Sequence, residues 1–284
     1  MATPPFDIVE LYEKAVIYRR QGDIYNAVKL FKNVIKKAPE WVQPYWQLSQ
    51  IYKSRREWKP TLYYTKKALA LDIGKPEGWW ALGMAAMALK KWRIARNVWN
   101  KFGIDLKKHT PKPICLRIQY NGQFEIIWAR TQGPAQAEIR SIPHPGSGFA
   151  FRDIVLYDKE ISGYNIVAKR RVPIYDEYGL FKKNYFHSYS CIISTADKED
   201  INLLEQLCQD AGLGFEVWSN ASRIFNTQKA GDIPEYYDPS ILPSTETSSL
   251  HIAIAARNIY EAREVLTNWQ VICLGSYSDL EQHL

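Results

Sequence analysis

The stretch Ile8-Val9-Glu10-Leu11-Tyr12-Glu13-Lys14-Ala15-Val16-Ile17-Tyr18-Arg19-Arg20-Gln21-Gly22-Asp23-Ile24-Tyr25-Asn26-Ala27-Val28-Lys29-Leu30-Phe31, closed by Ala38-Pro39, decides the fold of the first half. Ala15 and Ala27 are small enough to sit where two helices cross, Tyr18 and Phe31 are fillers beside them, Gly22-Asp23 makes a tight turn, and Pro39 ends the second helix. Working outward, starts at Ile8, Val42 and Pro76 give a spacing of 34 residues twice. A period of that length is a helix-turn-helix repeat whose pairs bury their apolar faces only by stacking. The second unit offers Tyr45, Leu48, Tyr52 and Ala68-Leu69, and the third Trp79, Leu82-Gly83, Ala95 and Trp99. The second unit departs from the pattern: Arg56-Glu57 stands for the Gly-Asp turn, and Thr61 and Thr65 replace a small residue and a ring, so looser packing is expected there.

On these residues the chain resembles the tetratricopeptide repeat family over about 100 residues, in units 8–41, 42–75 and 76–109. The resemblance implies a concave groove lined by the first helix of each repeat. Its positions here are Val9, Tyr12, Val16, Arg19 and Arg20; then Gln43, Trp46, Gln50 and Lys53; then Glu77, Trp80, Met84 and Met87. Tyr12, Trp46 and Trp80 recur at the repeat spacing and are expected to form a solvent-facing aromatic ladder flanked by Arg and Met, a composition typical of protein-binding hot spots. Trp79 and Trp99 are expected in the helix packing. Family members that grip a C-terminal carboxylate carry Lys and Asn where Tyr12 and Val16 stand, so that activity is not expected.

Charge divides the 284 residues at the same place. Residues 1–109 hold 21 Lys and Arg against 9 Asp and Glu, a balance of +12, and residues 110–284 hold 16 against 21, a balance of −5. Seven of the ten Trp also lie in the first part. No apolar run reaches the roughly 18 residues of a membrane span. The start, Met1-Ala2-Thr3-Pro4-Pro5-Phe6-Asp7, lacks a basic region followed by an apolar core, so a cytoplasmic protein is expected. Cys115, Cys191, Cys208 and Cys273 are far apart among apolar neighbours, which fits buried thiols and neither a disulfide nor a zinc site.

From Ile114 the apolar period becomes alternating. Ile114 to Tyr120, Asn121-Gly122, then Gln123 to Thr131 predicts a hairpin, and Ala137–Ile142, Phe149–Tyr157, Tyr164–Lys169 and Val172–Tyr175 read as further strands of a β-rich region over 114–182. Two strand-helix-strand passages follow, spanning 185–275. The first is Tyr185–Thr195, a helix over Asp197–Ala211, and Phe215–Ser219. The second is Leu250–Ala256, a helix opened by Asn258 with Glu261 at capping-box spacing, and Val271–Gly275. Two such units match a split, ferredoxin-like plan. The loop 226–249 between them lacks periodicity and reads as functional or mobile. The expected architecture is therefore a three-repeat helical array, residues 1–109, followed by an α+β domain, residues 110–284, that covers the array's C-terminal end.

Chemistry is sparse. The Pro143-His144-Pro145-Gly146-Ser147-Gly148 loop has glycines for close backbone approach and an imidazole for acid-base work, but a strand rather than a helix is expected after it. The five histidines form no local motif, and Asp153, Asp158, Glu160, Asp176 and Glu177 read as strand-end carboxylates, with Asp176 and Glu177 a second contact patch beside His144. Nucleophile elbow, P-loop, dinucleotide fingerprint and H-E-x-x-H are all missing from the sequence, so no enzyme, cofactor or metal site is expected. Paired cations such as Lys36-Lys37, Lys66-Lys67 and Lys90-Lys91 read as helix-end placements, and the strand Leu250–Ala255 carries no stacking ring, which argues against nucleic acid.

Gly148-Phe149-Ala150-Phe151-Arg152-Asp153-Ile154-Val155-Leu156-Tyr157-Asp158, Gly163-Tyr164 and Arg171-Val172-Pro173-Ile174-Tyr175-Asp176-Glu177 look like a segment that follows tetratricopeptide repeats in some bacterial proteins of interbacterial toxin and immunity systems. That resemblance implies an immunity protein that binds and neutralises a cognate toxin. The expected partner is a protein with an acidic face, met by Tyr12, Arg19, Trp46, Gln50, Lys53, Trp80, Met84 and Met87, or by His144, Asp176 and Glu177. The alternatives are a scaffold or adaptor, an RNA-binding protein, and an enzyme using the 143–148 loop.

Overall fold

The computed structural model describes residues 4–120, 122–167, 170–194, 198–219, 224–225, 249–273 and 275–283. The loop at 226–248 lies outside the described residues. The chain divides into two compact units, Met1–His109 and Thr110–Leu284.

The first unit is six helices in three pairs: α1 Phe6–Arg20 and α2 Ile24–Lys37, α3 Val42–Ser54 and α4 Trp58–Leu71, α5 Pro76–Ala88 and α6 Trp92–Lys101. Each helix packs against the next, and α3 also touches α5, so the first helices form one row and the second helices flank it. The repeat is visible in the backbone itself. Gly22, Arg56 and Lys90, spaced by 34, all adopt positive φ (83°, 60° and 54°) at the turn inside each pair. Only Gly22 does so without strain, and a side chain there costs about 1 kcal/mol. Asp23 caps α2 by accepting from the Asn26 amide at 3.1 Å. Ala15, Ala27 and Phe31 are fully buried with Leu48 and Ile51 in one cluster.

The second pair is not loosened by its threonines. Thr61 and Thr65 are fully buried; the Thr61 hydroxyl donates to the Glu57 carbonyl at 2.8 Å, and Thr65 shares a hydrogen bond with Ser49. Polar replacements are tolerated because each hydroxyl has a partner, Thr61 within the first turn of its own helix and Thr65 across to α3.

The second unit opens on β1 Pro113–Tyr120 and β2 Gln123–Gly133, an antiparallel hairpin in which Tyr120 pairs with Gln123 and Gly122 has φ 77°. β3 Gln136–Ile139, β4 Ile154–Val167 and β5 Arg170–Lys182 continue it. β5 then pairs in parallel with β1, with Leu116 opposite Tyr175, which closes the five strands into a barrel; β8 Ile224–Phe225 adds to the outside of β2. Ile114, Leu116, Ile118, Ile127, Ala137, Ile139 and Val155 fill the barrel.

Phe149–Asp153 was expected as the start of a strand and is instead a turn. The Asp153 carboxylate accepts from the Ala150 amide at 2.9 Å and the Asn184 amide at 2.6 Å, and Arg152 takes φ 63°, so the extended run begins only at Ile154.

The remainder runs β6 His187–Ser194, α7 Lys198–Asp210, β7 Gly214–Val217, β9 Ser249–Ala256, α8 Ile259–Cys273 and β10 Ser276–His283. The four strands are all antiparallel in the order β10-β6-β9-β7, the ferredoxin-like arrangement. Asn258 opens α8 by accepting from the Tyr260 and Glu261 amides, and Glu261 reaches back to the Arg257 amide at 2.9 Å. Val271–Gly275, expected as a strand, is the end of α8 as far as Cys273. The helical stripe Ala262, Val265, Leu266, Trp269 carries the helix on, leaving Val271 and Ile272 exposed, and the strand starts at Ser276.

The cysteines are free thiols, three of them buried. Burial pushes Cys191 and Cys208 up to about 12, and Cys115 up to about 11 against a weak opposing contact from Asn165. Since the thiolate is the reactive form, a thiol reagent at about pH 8 is expected to label Cys273 first and the other three only after denaturation. Counting modified thiols before and after adding guanidinium checks this; early labelling of Cys191 or Cys208 contradicts their placement.

Candidate functional site

The first-helix row carries the groove positions, and the structure splits them into two groups. Trp46 and Trp80 are only 8% exposed, Met84 is 0% and Met87 2%. These four are not a solvent-facing ladder. Trp46, Trp80 and Met87 have neighbours within the array: the Trp46 ring lies where a Cβ on Gly78 of α5 would stand, with the Lys75 ammonium 5.5 Å from its centre. Trp80 meets Trp99 and Phe102 edge to face at 4.9 Å and 5.7 Å, and Met87 accepts from the Trp99 indole at 3.1 Å. Successive first helices come close because α5 offers glycine, and rings read as ligand-facing become filling between repeats. Trp99 is fully buried, whereas Trp79 is half-buried at the edge, bonded to the Ile73 carbonyl and under Lys101.

The other group stays accessible between α1 and α3. The Arg19 guanidinium donates from one nitrogen to Gln47 and, at 3.1 Å, to Gln50, and Gln47 donates to the Tyr12 hydroxyl at 3.2 Å. Tyr12 is fixed from behind by Trp41 at 4.6 Å and Phe31 at 5.5 Å. Gln50 is exposed; Tyr12, Arg19 and Lys53 are partly so. Burial lowers the Arg19 pKa, and among the described residues no carboxylate pairs with it; only amide oxygens do. Gln47 falls one position off the groove stripe that the repeat spacing marks, yet it links Tyr12 to Arg19.

The second expected patch does not form as one surface. Asp176 is held by Arg117, whose Nε and Nη2 both lie 2.6 Å from it, and neighbouring Glu177 is buried and accepts from the Gly179 amide at 2.7 Å. Asp158 accepts from the Lys159 amide at 2.8 Å. His144 is elsewhere, stacked on Trp218 at 4.6 Å with 29° between planes. His251 and His283 flank the same indole at 5.5 Å and 5.6 Å, and His283 shares a 2.7 Å hydrogen bond with Ser190. Sequence gave no sign of this gathering, because the three histidines come from the 143–148 loop, β9 and β10. Its evident work is structural: Trp218 donates to the Ile142 carbonyl at 3.0 Å and Glu216 accepts the Ile142 amide at 2.6 Å, pinning the loop to the sheet. Burial, with His283 adding to it, lowers the His251 pKa against the opposing pull of Glu281.

Among the described residues, no three His, Cys, Asp or Glu side chains come together as a metal-binding set, and no helix is long and apolar enough to cross a membrane.

No family model matches the sequence. Among solved structures, the chain is similar to the CopN–Scc3 complex (10% identity, TM-score 0.32, covering 34% of this chain and 57% of that one). It is similar to the first TPR of Spaghetti (RPAP3) bound to the HSP90 peptide SRMEEVD (19% identity, TM-score 0.31, 33% of this chain and 75% of that one). It is also similar to a hypothetical protein from Neisseria gonorrhoeae (12% identity, TM-score 0.26, 62% of this chain and 98% of that one). All three are partial likenesses.

Proposed function

We propose that this chain is a protein-binding module whose groove between α1 and α3 takes an acidic segment of its partner, and that the partner is a bacterial toxin neutralised in the cytoplasm. The observation that carries the binding part is Arg19. A half-buried guanidinium held by two glutamine oxygens keeps its full charge and has further N–H donors to offer, and a carboxylate is the complement it lacks. Tyr12 and Gln50 stand beside it as a ring and an amide for the rest of the segment. The +12 balance of residues 1–109 adds long-range attraction for an acidic face. The toxin part rests on the resemblance of the 148–177 segment to bacterial immunity proteins.

The test begins with co-purification from the native host and continues with titration of the captured protein. Arg19→Ala is expected to weaken binding by about 2 kcal/mol or more with little change in melting temperature, because the charge it removes has no carboxylate partner among the described residues. The wild-type on-rate is expected to fall roughly tenfold as NaCl rises from about 50 to about 500 mM. Unchanged affinity for Arg19→Ala removes the groove from the proposal. Co-expression with the captured protein separates the toxin reading from a scaffold: neutralisation restores growth, whereas a scaffold leaves growth unaffected.

A further inference from the structure

The positive charge of the array is not spread over it. The three second helices, α2, α4 and α6, hold ten Lys and Arg and no Asp or Glu. All ten side chains are exposed, and among the described residues none pairs with a carboxylate. Several align at the repeat period, Lys32 with Lys66, Lys59 with Arg93, and Lys67 with Lys101, so stacking the repeats lines them up along the array. Each of these helices also presents one large ring to solvent: Tyr25 at 76% exposure, Tyr63 at 55% and Trp92 at 45%. In the sequence Lys36-Lys37 and Lys66-Lys67 read as helix-end placements; the fold puts all ten cations on the second helices of successive pairs.

We propose that this second-helix face binds a single strand of nucleic acid, with the Lys and Arg rows on phosphates and Tyr25, Tyr63 and Trp92 as stacking platforms for bases. Three features favour a strand over an acidic protein. Three helices that hold no carboxylate between their caps suit a polymer of uniform negative charge, whereas a folded protein presents both signs. Eight of the ten cations are lysines, which serve phosphates well and are depleted at protein interfaces. Each second helix offers one exposed ring, though at a different position along it, and stacking is indifferent to sequence. The inference stands apart from the groove, since it uses none of the residues around Arg19.

The test is fluorescence anisotropy of the full chain with a fluorescein-labelled oligouridine of about 20 nucleotides. If about six phosphates are engaged, affinity is expected to fall with salt at a log–log slope near about −4. Lys66→Glu with Arg93→Glu is expected to weaken binding at least about tenfold and to flatten that slope. Tyr63→Ala with Trp92→Ala is expected to cost roughly tenfold with the slope unchanged, and Tyr63→Phe to restore its share, while circular dichroism shows the variants folded. Arg19→Ala is expected to bind the strand as wild type does. The proposal is overturned if oligouridine fails to bind at about 50 mM NaCl, or if the charge reversals leave affinity unchanged. Equal or tighter binding of polyglutamate assigns the face to an acidic protein, tighter binding of duplex DNA removes the stacking role, and a loss with Arg19→Ala places the strand on the wrong face.

Discussion

Trp99→Ala is expected to lower the folding free energy by about 3–5 kcal/mol, the usual result of emptying a large ring from a closed site. The ring has no exposed surface and is shared by two repeat-internal contacts, the edge of Trp80 at 4.9 Å and the sulfur of Met87 at 3.1 Å from its indole nitrogen. Gly83 of α5 defines the other wall: a Cβ there would come within 2.5 Å of the Trp99 ring, so the helices cannot close over the void without moving that ring's neighbours. α6 is the last α-helix of the unit, so no further repeat follows it there to compensate. A thermal melt of the whole chain is expected to show the array melting at least about 10 °C earlier. Gly83→Ala, which adds one methyl against the same ring, is expected to destabilise by overpacking, about 1–3 kcal/mol. If both variants melt with the wild type, the α5–α6 packing described here is wrong.

That pairing of ring and glycine explains what was legible in the sequence. The repeat was readable because its signals are local: Ala15, Ala27, Phe31 and the Gly22-Asp23 turn set each helix pair with residues a few positions apart. Even the departures obey the period, since Arg56 and Lys90 take the backbone that Gly22 takes. The hairpin at Gly122 and the capped start of α8 were readable for the same reason. What failed depended on residues far apart in the chain. Whether Trp46 faces solvent is settled by Gly78, in the next repeat. Closure of the barrel rests on β1 pairing with β5, Arg117 opposite Asp176, and nothing near either strand announces it. The same pairing turned Asp176 from a candidate contact into one half of an ion pair. The three histidines around Trp218 are brought in by three separate elements, and the second-helix cations formed a face only once α2, α4 and α6 shared one flank.

The groove reading turns on Trp46, and its mutation separates an anchor for a partner from filling between repeats. A solvent-facing anchor loses affinity on truncation and keeps its stability. Trp46 is 8% exposed, and the outer atoms of its six-membered ring occupy the space beside Gly78, where an added Cβ would stand 2.0 Å from Cη2. Its indole nitrogen is buried with no hydrogen-bond partner among the described residues, a cost accepted for the packing of the ring. Trp46→Ala is therefore expected to cost about 3 kcal/mol or more of stability through the cavity left between α3 and α5. Trp46→Phe, which keeps an aromatic ring and removes the unsatisfied N–H but not the space left beside Gly78, is expected to recover only part of that loss. Partner affinity, measured at a temperature where both variants are folded, is expected to stay within about threefold of wild type for Trp46→Phe, since the groove's binding work falls to Arg19, Tyr12 and Gln50. A variant Trp46→Ala that melts normally but loses its partner reverses this assignment and returns the ladder to the surface. Loss of both together, with Arg19→Ala retaining full affinity, places the contact on the filled face of α5 and requires the array to open when the partner binds.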